Sequence, residues 1–360
     1  MDINKLTNWL QESSKPLLIS GPCGAESYDQ LRTTALELSQ LPNLFLFRAG
    51  IWKPRTRPDS FEGMGDQALD WLNEVKKEFK IKTTVEVANA THVEKALKKE
   101  VDVLWIGART TVNPFTVQEI ADAMKGSNVP VLIKNPIHAD LNLWVGAIER
   151  FLKNDITKIA AVHRGFYKHG QNKYRNEPMW QIPIALKTHF PDLAIFCDPS
   201  HISGNSTYLQ EIAQKALDLR MNGLMIETHP NPAMALSDAK QQITPEELKV
   251  LLQNLVIRKQ FAKNLISADE LLQLRNLIDE VDEEILEAIG KRNEIIGKIG
   301  KFKKENNVTI FQLERWQEIL RTRAALARKI GISPAHIEKI FQLLHEESMK
   351  IQNEIMNKKN

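Results

Sequence analysis

The sequence predicts two domains, an α/β (β/α)₈ barrel followed by an all-α domain of three helices. Three observations support this: eight short apolar runs up to about Thr228, a helix-start signal at Thr244, and no strand-like run beyond Ser267. Most runs lack in–out alternation, which is typical of parallel strands covered on both faces. Eight such units in roughly 230 residues favour a closed barrel, with an open doubly wound sheet as the alternative.

The eight runs are expected to form the strands, and the segments between them are long enough for crossover helices. In chain order the runs are Leu17–Ser20, Leu44–Arg48, Thr83–Val87, Val103–Ile106, Val131–Lys134, Ile156–Val162, Leu193–Cys197 and Gly223–Glu227.

A capping box marks the last helix of the barrel domain. Thr244 is a good N-cap, Pro245 suits the first helical position and Glu247 lies three residues after the threonine. A basic, polar stretch from Arg258 to Asn264 follows. We therefore assign residues 1–252 to the barrel, 253–266 to a linker and 267–360 to the helical domain.

The helical domain is expected to contain one long helix and two shorter ones. Ser267 and Glu270 form a second capping box before apolar residues spaced three and four apart. A second helix is expected from about Ile310 to Ile330, with Gly331 as its stop, and a third from Ser333 to about Met356. Three such helices bury little apolar surface alone, so we expect this domain to dimerise.

Composition restricts the class of protein. The 360 residues carry a formal net charge of +3, too small to indicate nucleic acid or a membrane surface as a partner. No apolar run approaches the ~20 residues of a membrane span. The N-terminal segment Met1–Gln11 reads as a short amphipathic helix and not as a signal peptide. With two cysteines and no disulfide framework, a reducing, cytoplasmic location is expected.

Basic residues gather where the predicted strands end. Catalytic groups of such barrels lie at the carboxyl ends of the strands, and six cations there would repel one another without an anionic ligand. Guanidinium groups pair well with phosphate and carboxylate. We therefore expect a ligand with several negative charges. The six residues are Arg48, Lys53, Arg55, Arg109, Lys134 and Arg164.

A second group at or near the strand ends combines sulfur, nitrogen and oxygen donors. It comprises Cys23, His201, Glu227 and Asp238. A thiolate, an imidazole and two carboxylates suit a borderline divalent metal such as Mn, Fe, Co or Zn. Taken singly, each would more often be an ordinary core or surface residue; together they favour a metal site.

The barrel half resembles type I 3-deoxy-D-arabino-heptulosonate 7-phosphate (DAHP) synthase, of the subgroup with a short barrel, over nearly all of residues 16–252. The matching stretches are Gly21-Pro22-Cys23, Lys53-Pro54-Arg55-Thr56, Gly107 to Thr111, Asp198-Pro199-Ser200-His201 and Glu227 to Asp238. His163 has no place in this pattern.

The resemblance implies roles for these residues. Cys23, His201, Glu227 and Asp238 would hold a divalent metal ion, Mn²⁺ as the first choice. Arg48, Lys53, Glu86, Arg109, Lys134 and Arg164 would bind phosphoenolpyruvate, and Lys53, Arg55 and Thr56 would bind erythrose 4-phosphate. The alternative is the sister 3-deoxy-manno-octulosonate 8-phosphate synthase, which uses arabinose 5-phosphate.

Basic and polar residues of the helical half also lie on particular faces of the predicted helices. Arg292 and Lys303 are 11 residues apart and therefore share a helix face, whereas Arg275 lies about 100° away on the same wheel. Arg275 is thus better placed to reach a partner subunit's pocket. Ser348 and Gln352, four residues apart, face the same way. Solvated surface charges are the alternative explanation of this spacing.

Residues 267–356 resemble the all-helical chorismate mutases, most clearly along Leu274 to Asp282. The resemblance implies that Arg292, Lys303, Arg315, Ser348 and Gln352 of one subunit and Arg275 of the other bind chorismate or prephenate, with Lys303 and Gln352 at the ether oxygen. Trp316 stands where bacterial members commonly have Glu, and Gln312 where an Asp is familiar. The contact to the substrate's ring hydroxyl is therefore in question.

Regulation and partners follow as expectations. The first strand near Pro16 leaves no room for a separate N-terminal regulatory domain, so an effector is expected in the helical domain. Prephenate would be that effector, with residues 254–266 as a hinge. The alternative is a catalytically inactive helical domain that only dimerises and binds effectors.

Overall fold

The chain forms two compact units, Met1–Arg258 and Lys259–Asn360. The structure, a computed structural model, describes residues 6–10, 13, 15–53, 61–170, 172–258 and 265–358. Of the predicted linker, residues 259–264 lie outside the described residues.

The first unit contains a closed barrel of eight parallel strands in chain order, with β1 paired to β8. The predicted barrel is confirmed and the open-sheet alternative is wrong. The strands are β1 Leu17–Gly21, β2 Leu44–Ala49, β3 Thr83–Val87, β4 Val103–Ile106, β5 Val131–Lys134, β6 Ile159–His163, β7 Ala194–Cys197 and β8 Gly223–Glu227.

Ten helices of this unit are described. They are α1 Tyr28–Leu38, α2 Asp66–Phe79, α3 Ala90–Lys98, α4 Ala108–Thr111, α5 Pro114–Ala123, α6 Leu141–Lys153, α7 Gln181–His189, α8 Pro199–Ser203, α9 Leu209–Asp218 and α10 Pro245–Gln253. The capping box predicted at Thr244 is confirmed: its hydroxyl accepts from Glu247 N, and the Glu247 carboxylate accepts from Thr244 N.

Alternate residues of the strands belong to two different cores. A large apolar cluster lies between strands and helices, and a smaller one fills the barrel interior. Successive side chains of a strand point to opposite faces, so a residue two positions after an interior residue also points inward. The interior residues are Ile19, Leu46, Val103, Trp105, Leu132, Ala160, Val162, Phe196 and Met225.

The N-terminal segment corrects one expectation. Residues 6–10 are not helical. Instead, the ring of Trp9 packs on Phe45, with centroids 5.6 Å apart, and its Nε1 donates to Ile159 O at 3.3 Å. Trp9 and Leu10 also contact the interior core. Trp9 and Leu10, two of the apolar residues that suggested an amphipathic helix, thus pack on the barrel from an irregular segment.

The second unit consists of three helices, as predicted: α11 Leu265–Glu305, α12 Leu313–Lys329 and α13 Pro334–Asn357. The backbone of α11 is helical from two residues before Ser267, the expected N-cap. Gly331 follows α12 in the left-handed region (φ +76°), as expected of a stop. None of the described helices is long and apolar enough to cross a membrane.

This helical unit lacks an apolar core of its own. Its buried residues, among those described, are Gly300, Lys303, Ala327, Ser348 and Gln352. Large apolar side chains of α11 are instead exposed, from 38% for Ile299 to 68% for Leu286. The unit therefore buries polar groups better than apolar ones.

Candidate active sites

The barrel interior becomes charged at the carboxyl ends of the strands. The strand alternation that directs interior apolar residues inward also directs inward the charged residues two positions later. Four of these side chains are 0–5% exposed. They are Arg48 after Leu46, Lys134 after Leu132, Asp198 after Phe196 and Glu227 after Met225.

These four residues form two buried ion pairs. Arg48 Nη2 lies 2.9 Å from Glu227 Oε1, and Lys134 Nζ lies 2.9 Å from Asp198 Oδ2. Trp105 lies beneath both cations, with its ring centroid 5.0 Å from the Arg48 guanidinium carbon and 5.8 Å from Lys134 Nζ. The aromatic face adds to the attraction that holds the two cations in place.

Arg48 has hydrogen-bonding capacity left over. Its Nε and Nη1 are buried and have no hydrogen-bond partner among the described residues. Arg164 is likewise buried, and its pKa is lowered to about 10. Burial is the main cause; Arg175 and Arg109 lower the pKa further, whereas Asp198 raises it. Unpaired donors on buried cations are unfavourable unless an anion pairs with them. The arrangement is therefore suited to a phosphate or carboxylate ligand.

Glu86 lies at the same end of the barrel, on β3. Its Oε2 accepts from Trp105 Nε1 at 3.1 Å. Gly107 makes room for it, since a Cβ at that position would come within 2.0 Å of Glu86 Oε1. Arg109, two residues further, is exposed. The described residues resume at Phe61. Arg55 and Thr56, which are predicted to bind the aldose phosphate, lie outside the described residues.

The four expected metal ligands lie close together as two pairs. Cys23 Sγ donates to Asp238 Oδ2 at 3.3 Å, and His201 Nε2 is 3.8 Å from Glu227 Oε1. Asp198 Oδ2 lies 2.8 Å from His201 Nδ1. A carboxylate on one imidazole nitrogen leaves the other nitrogen for a metal, the usual arrangement around metal-ligating histidines. The donor set is thus suited to a borderline divalent cation.

Lys53 lies next to this group. Its Nζ donates to Cys23 Sγ and Cys23 O, both at 2.7 Å. Burial, then Glu227, raises the pKa of the Cys23 thiol to about 12, although Lys53 acts in the opposite direction. Among the described residues, no three His, Cys, Asp or Glu side chains are close enough to hold one ion as they stand. The four-ligand site therefore stays a proposal.

Sequence reasoning missed two residues that hold the expected ligands. Arg175 Nη1 donates to Asp238 Oδ1 at 2.9 Å and to Gln241 Oε1 at 2.8 Å, and Gln241 Nε2 donates to Glu227 Oε2 at 2.6 Å. Burial raises the pKa of Asp238, but Arg175 and His201 outweigh it and hold this pKa well below its usual value. Arg175 lies in a loop and Gln241 in a short 3-10 helix, Ala239–Gln241, both away from the strand ends, so strand-end analysis could not find them.

Asp198, for which the sequence predicts only membership of the Asp198-Pro199-Ser200-His201 stretch, lies between two predicted groups of site residues. It contacts both Lys134 and His201. Burial raises the pKa of Asp198, but His201 and Lys134 outweigh this and keep it well below its usual range. An ionised Asp198 thus connects the predicted anion-binding residues with the predicted metal ligands.

His163, the strand-end residue without a place in the family pattern, points away from the interior. Its ring lies 5.1 Å from Trp180 and 5.8 Å from Phe166, measured between centroids. Burial, then Arg164, lowers its pKa to about 3. His163 is therefore a neutral packing residue of the outer layer and lies apart from the charged interior.

The helical unit has a cavity of about 480 Å³ between its three helices. This volume is in the range of small-molecule sites. The cavity is lined by five of the six residues predicted to bind chorismate; Arg275, further toward the start of α11, is not among the described residues that line it. The five are Arg292, Lys303, Arg315, Ser348 and Gln352.

Hydrogen bonds position the polar groups of this cavity. Arg292 Nη1 donates to Ser348 Oγ at 2.7 Å and to Leu344 O at 3.1 Å, and Lys303 Nζ donates to Ile310 O at 2.6 Å. Burial lowers the pKa of both Arg292 and Lys303. Arg315 pairs with Glu318 at 2.6 Å. The cavity is therefore positively charged and suited to an anion of small-molecule size.

Comparisons with known families also distinguish a barrel part and a helical part of the chain. The model of the DAHP synthetase I family matches residues 10–262, and the model described as chorismate mutase type II matches residues 274–353.

Two curated relatives match the barrel. The phospho-2-dehydro-3-deoxyheptonate aldolase of Thermotoga maritima is 30% identical over 239 residues, which cover 66% of this chain and 68% of that protein. The 2-dehydro-3-deoxyphosphooctonate aldolase of Wolinella succinogenes is 28% identical over 264 residues, covering 67% of this chain and 98% of that protein.

Solved structures are similar over about two thirds of the chain. The crystal structure of a DAHP synthase from Thermotoga maritima has a TM-score of 0.60 at 28% identity, covering 66% of this chain and 67% of that one. A truncated form of the enzyme from Thermotoga maritima has a TM-score of 0.58 at 26% identity, covering 66% and 84%.

The unpaired donors of Arg48 generate a prediction about ligand binding. Phosphoenolpyruvate at ~100 times its dissociation constant is expected to raise the wild-type free energy of unfolding by about 2–3 kcal/mol. Arg48→Met should lose most of this increment. Arg32→Met, which removes an exposed pair with Glu78, should keep it. Urea unfolding with and without the ligand measures the increment; an equal increment in both variants would contradict the assignment.

Proposed function

We propose, since the chain belongs to the DAHP synthetase I family and carries a chorismate mutase type II domain, that one polypeptide catalyses two reactions of the shikimate pathway. The barrel condenses phosphoenolpyruvate with D-erythrose 4-phosphate to give DAHP and phosphate. The helical unit rearranges chorismate to prephenate. The observation that supports the first reaction best is the group of buried cations at the carboxyl end of the barrel, two of whose donors are unpaired. A cytoplasmic location is part of the same proposal.

The barrel reaction requires two anionic substrates to be held in one orientation. The proposed binding residues for phosphoenolpyruvate are Arg48, Lys53, Glu86, Arg109, Lys134 and Arg164. The positive charges of the five Arg and Lys residues would neutralise its phosphate and carboxylate, and the barrel would exclude bulk water around them. The enol carbon then attacks the aldehyde of the aldose while water adds to the neighbouring carbon and phosphate leaves. Fixing both substrates converts a two-body encounter into a positioned reaction.

The aldose is proposed to be erythrose 4-phosphate. Lys53, Arg55 and Thr56 would bind its phosphate. Relatives named as phosphooctonate aldolases match the barrel too, at lower identity than the Thermotoga maritima relative. The matched barrel family and the attached mutase domain both favour the shorter aldose, because the two reactions then belong to one pathway.

A divalent metal ion, Mn²⁺ as first choice and Fe, Co or Zn as alternatives, would be held by Cys23, His201, Glu227 and Asp238. When bound, it would supply Lewis-acid polarisation of the aldehyde oxygen. Asp198 would orient His201 for this role, and Arg175 with Gln241 would orient the two carboxylates.

Metal binding distinguishes the two cysteines, both of which are buried and free. The wild-type chain is expected to bind about one Mn²⁺, since four ligands define one site. Cys23→Ala should weaken this binding by more than the ~10–100-fold typical of a lost outer contact. Cys197→Ala, in the outer core, is the matched control and should bind as the wild type does. Isothermal titration with Mn²⁺ measures both affinities; equal affinities would refute the ligand assignment.

The mutase reaction is unimolecular and needs no nucleophile. Arg292, Arg315 and the partner's arginine would bind the two carboxylates of chorismate in its folded conformation. Lys303 and Gln352 would stabilise negative charge on the breaking ether oxygen. Binding the reactive conformation and stabilising this charge are sufficient for the rearrangement.

A homodimer would complete the mutase site. Apolar residues of α11 recur at three- and four-residue spacing and are 41–60% exposed, an arrangement that a second copy of the helix would cover. They are Leu271, Leu274, Ile278, Val281 and Ile285. Arg275 lies on the same part of α11. A dimer along this stripe would carry Arg275 of one subunit to the cavity of the other.

Mixing two inactive variants tests the shared site. Arg275→Ala and Arg292→Ala chains are each expected to lose most mutase activity, because each removes a carboxylate contact. After subunit exchange, a mixed dimer has one cavity with both changes and one with neither. Recovery toward about half of the sites in mixed dimers is expected in a chorismate-consumption assay. No recovery after verified exchange would contradict the shared site.

Prephenate is proposed to regulate the barrel from the helical cavity. A ligand can inhibit a distant site only if it binds one domain arrangement better than another, and residues 254–266 are the proposed hinge. Prephenate should therefore lower the synthase rate of the wild-type chain, while Arg292→Ala should need a much higher prephenate concentration. Synthase rates measured against prephenate concentration decide this. Unaffected wild-type rates, or equal inhibition of the variant, would make the mechanism wrong.

A further inference from the structure

The helical cavity contains a stacked pair of rings that the proposed reaction does not use. Trp316 on α12 and His345 on α13 lie face to face, with centroids 4.2 Å apart and planes 17° apart. Phe311 meets the same imidazole at 6.0 Å and 62°. Aromatic neighbours on two sides fix the plane of the His345 ring.

One nitrogen of this ring is buried without a partner. His345 lines the cavity, and its Nε2 has no hydrogen-bond partner among the described residues. His345 also precedes Ser348 by three residues and Gln352 by seven, which places all three on one face of α13. A buried polar atom is unfavourable when unpaired, so an unpaired one in a cavity points to a ligand group.

The charge of the imidazole limits what that group can be. Burial lowers the pKa of His345, and the neighbouring Arg292 and Lys303 lower it further. The ring is therefore neutral at neutral pH. Arg292 and Arg315 of the cavity lining are assigned to the carboxylates, and Lys303 and Gln352 to the ether oxygen. The ring hydroxyl is the remaining polar group of chorismate, and a neutral imidazole can hydrogen-bond it without an added charge.

We propose that His345, held in orientation by Trp316, hydrogen-bonds the ring hydroxyl of chorismate and makes the site specific for it. This inference rests on the proposed mutase function. Gln312, another uncharged polar residue that lines the cavity, is exposed and lies at the start of α12, so it is a weaker candidate. Trp316, at the position where bacterial chorismate mutases commonly carry Glu, brings no carboxylate to the cavity, and the stacked histidine supplies a polar contact beside it.

A pair of substrates tests the contact. We would measure kcat/KM for chorismate and for the analogue in which hydrogen replaces the ring hydroxyl. His345→Phe keeps a ring for Trp316 and removes the nitrogen. It is expected to lower kcat/KM for chorismate about tenfold and for the analogue less than about twofold. His336→Phe, an exposed histidine of the same helix, should change neither value.

Each outcome decides the proposal. An equal loss for both substrates would indicate a merely structural role, and unchanged values for both would show that no contact exists; either result overturns it. If the His345→Phe chain does not fold, the same ratio in His345→Leu decides. Wild-type protein that does not turn over chorismate would overturn the mutase function itself. This result is distinct from an active wild-type protein in which His345→Phe leaves the ratio of kcat/KM for chorismate to that for the analogue unchanged.

Discussion

The barrel site depends on the balance of buried charges at the carboxyl end of the strands. Arg48 pairs with Glu227 and Lys134 pairs with Asp198, all nearly inaccessible to water. Buried charges are costly unless each has a partner, and removing one partner leaves the other charge buried and unpaired. The same two carboxylates face His201. A cation bound at Glu227 would therefore release Arg48 toward an anion, so metal and phosphoenolpyruvate are expected to favour each other's binding.

The helical unit obeys a different constraint. In one chain its buried residues, among those described, are small or polar, while the apolar residues of α11 face solvent. Its internal contacts fix a polar cavity, and its stability calls for another apolar surface. A second subunit would supply both that surface and Arg275. Assembly and catalysis are then linked by one helix.

Periodicity in the sequence was sufficient for the barrel and for the direction in which its strand residues point. Strand alternation fixes which face Arg48, Lys134 and Glu227 occupy, because their neighbours two positions earlier are apolar. Strand periodicity could not predict Arg175 and Gln241, which lie outside the strands and reach Asp238 and Glu227 through tertiary contacts. The stack of His345 on Trp316 likewise joins two helices and has no signature within either one.

Two other segments differ from the expectation drawn from the sequence, again because tertiary contacts decide their structure. The segment around Trp9 has the apolar pattern of a helix, yet packing on Phe45 and the barrel interior determines its conformation. Tertiary contact overrides local propensity in such short segments. His163 ends its strand as Lys134 and Glu227 end theirs, but its side chain falls on the outer face, one position before Arg164.

One set of assays on the purified chain tests the central claim that a metal-dependent barrel site and a metal-independent helical site coexist. DAHP formation from erythrose 4-phosphate, product formation from arabinose 5-phosphate and loss of chorismate are followed with and without a chelator. We expect condensation with erythrose 4-phosphate only, abolished by the chelator and restored by Mn²⁺, and unchanged chorismate turnover. Condensation that survives metal removal, or a preference for arabinose 5-phosphate, would contradict it.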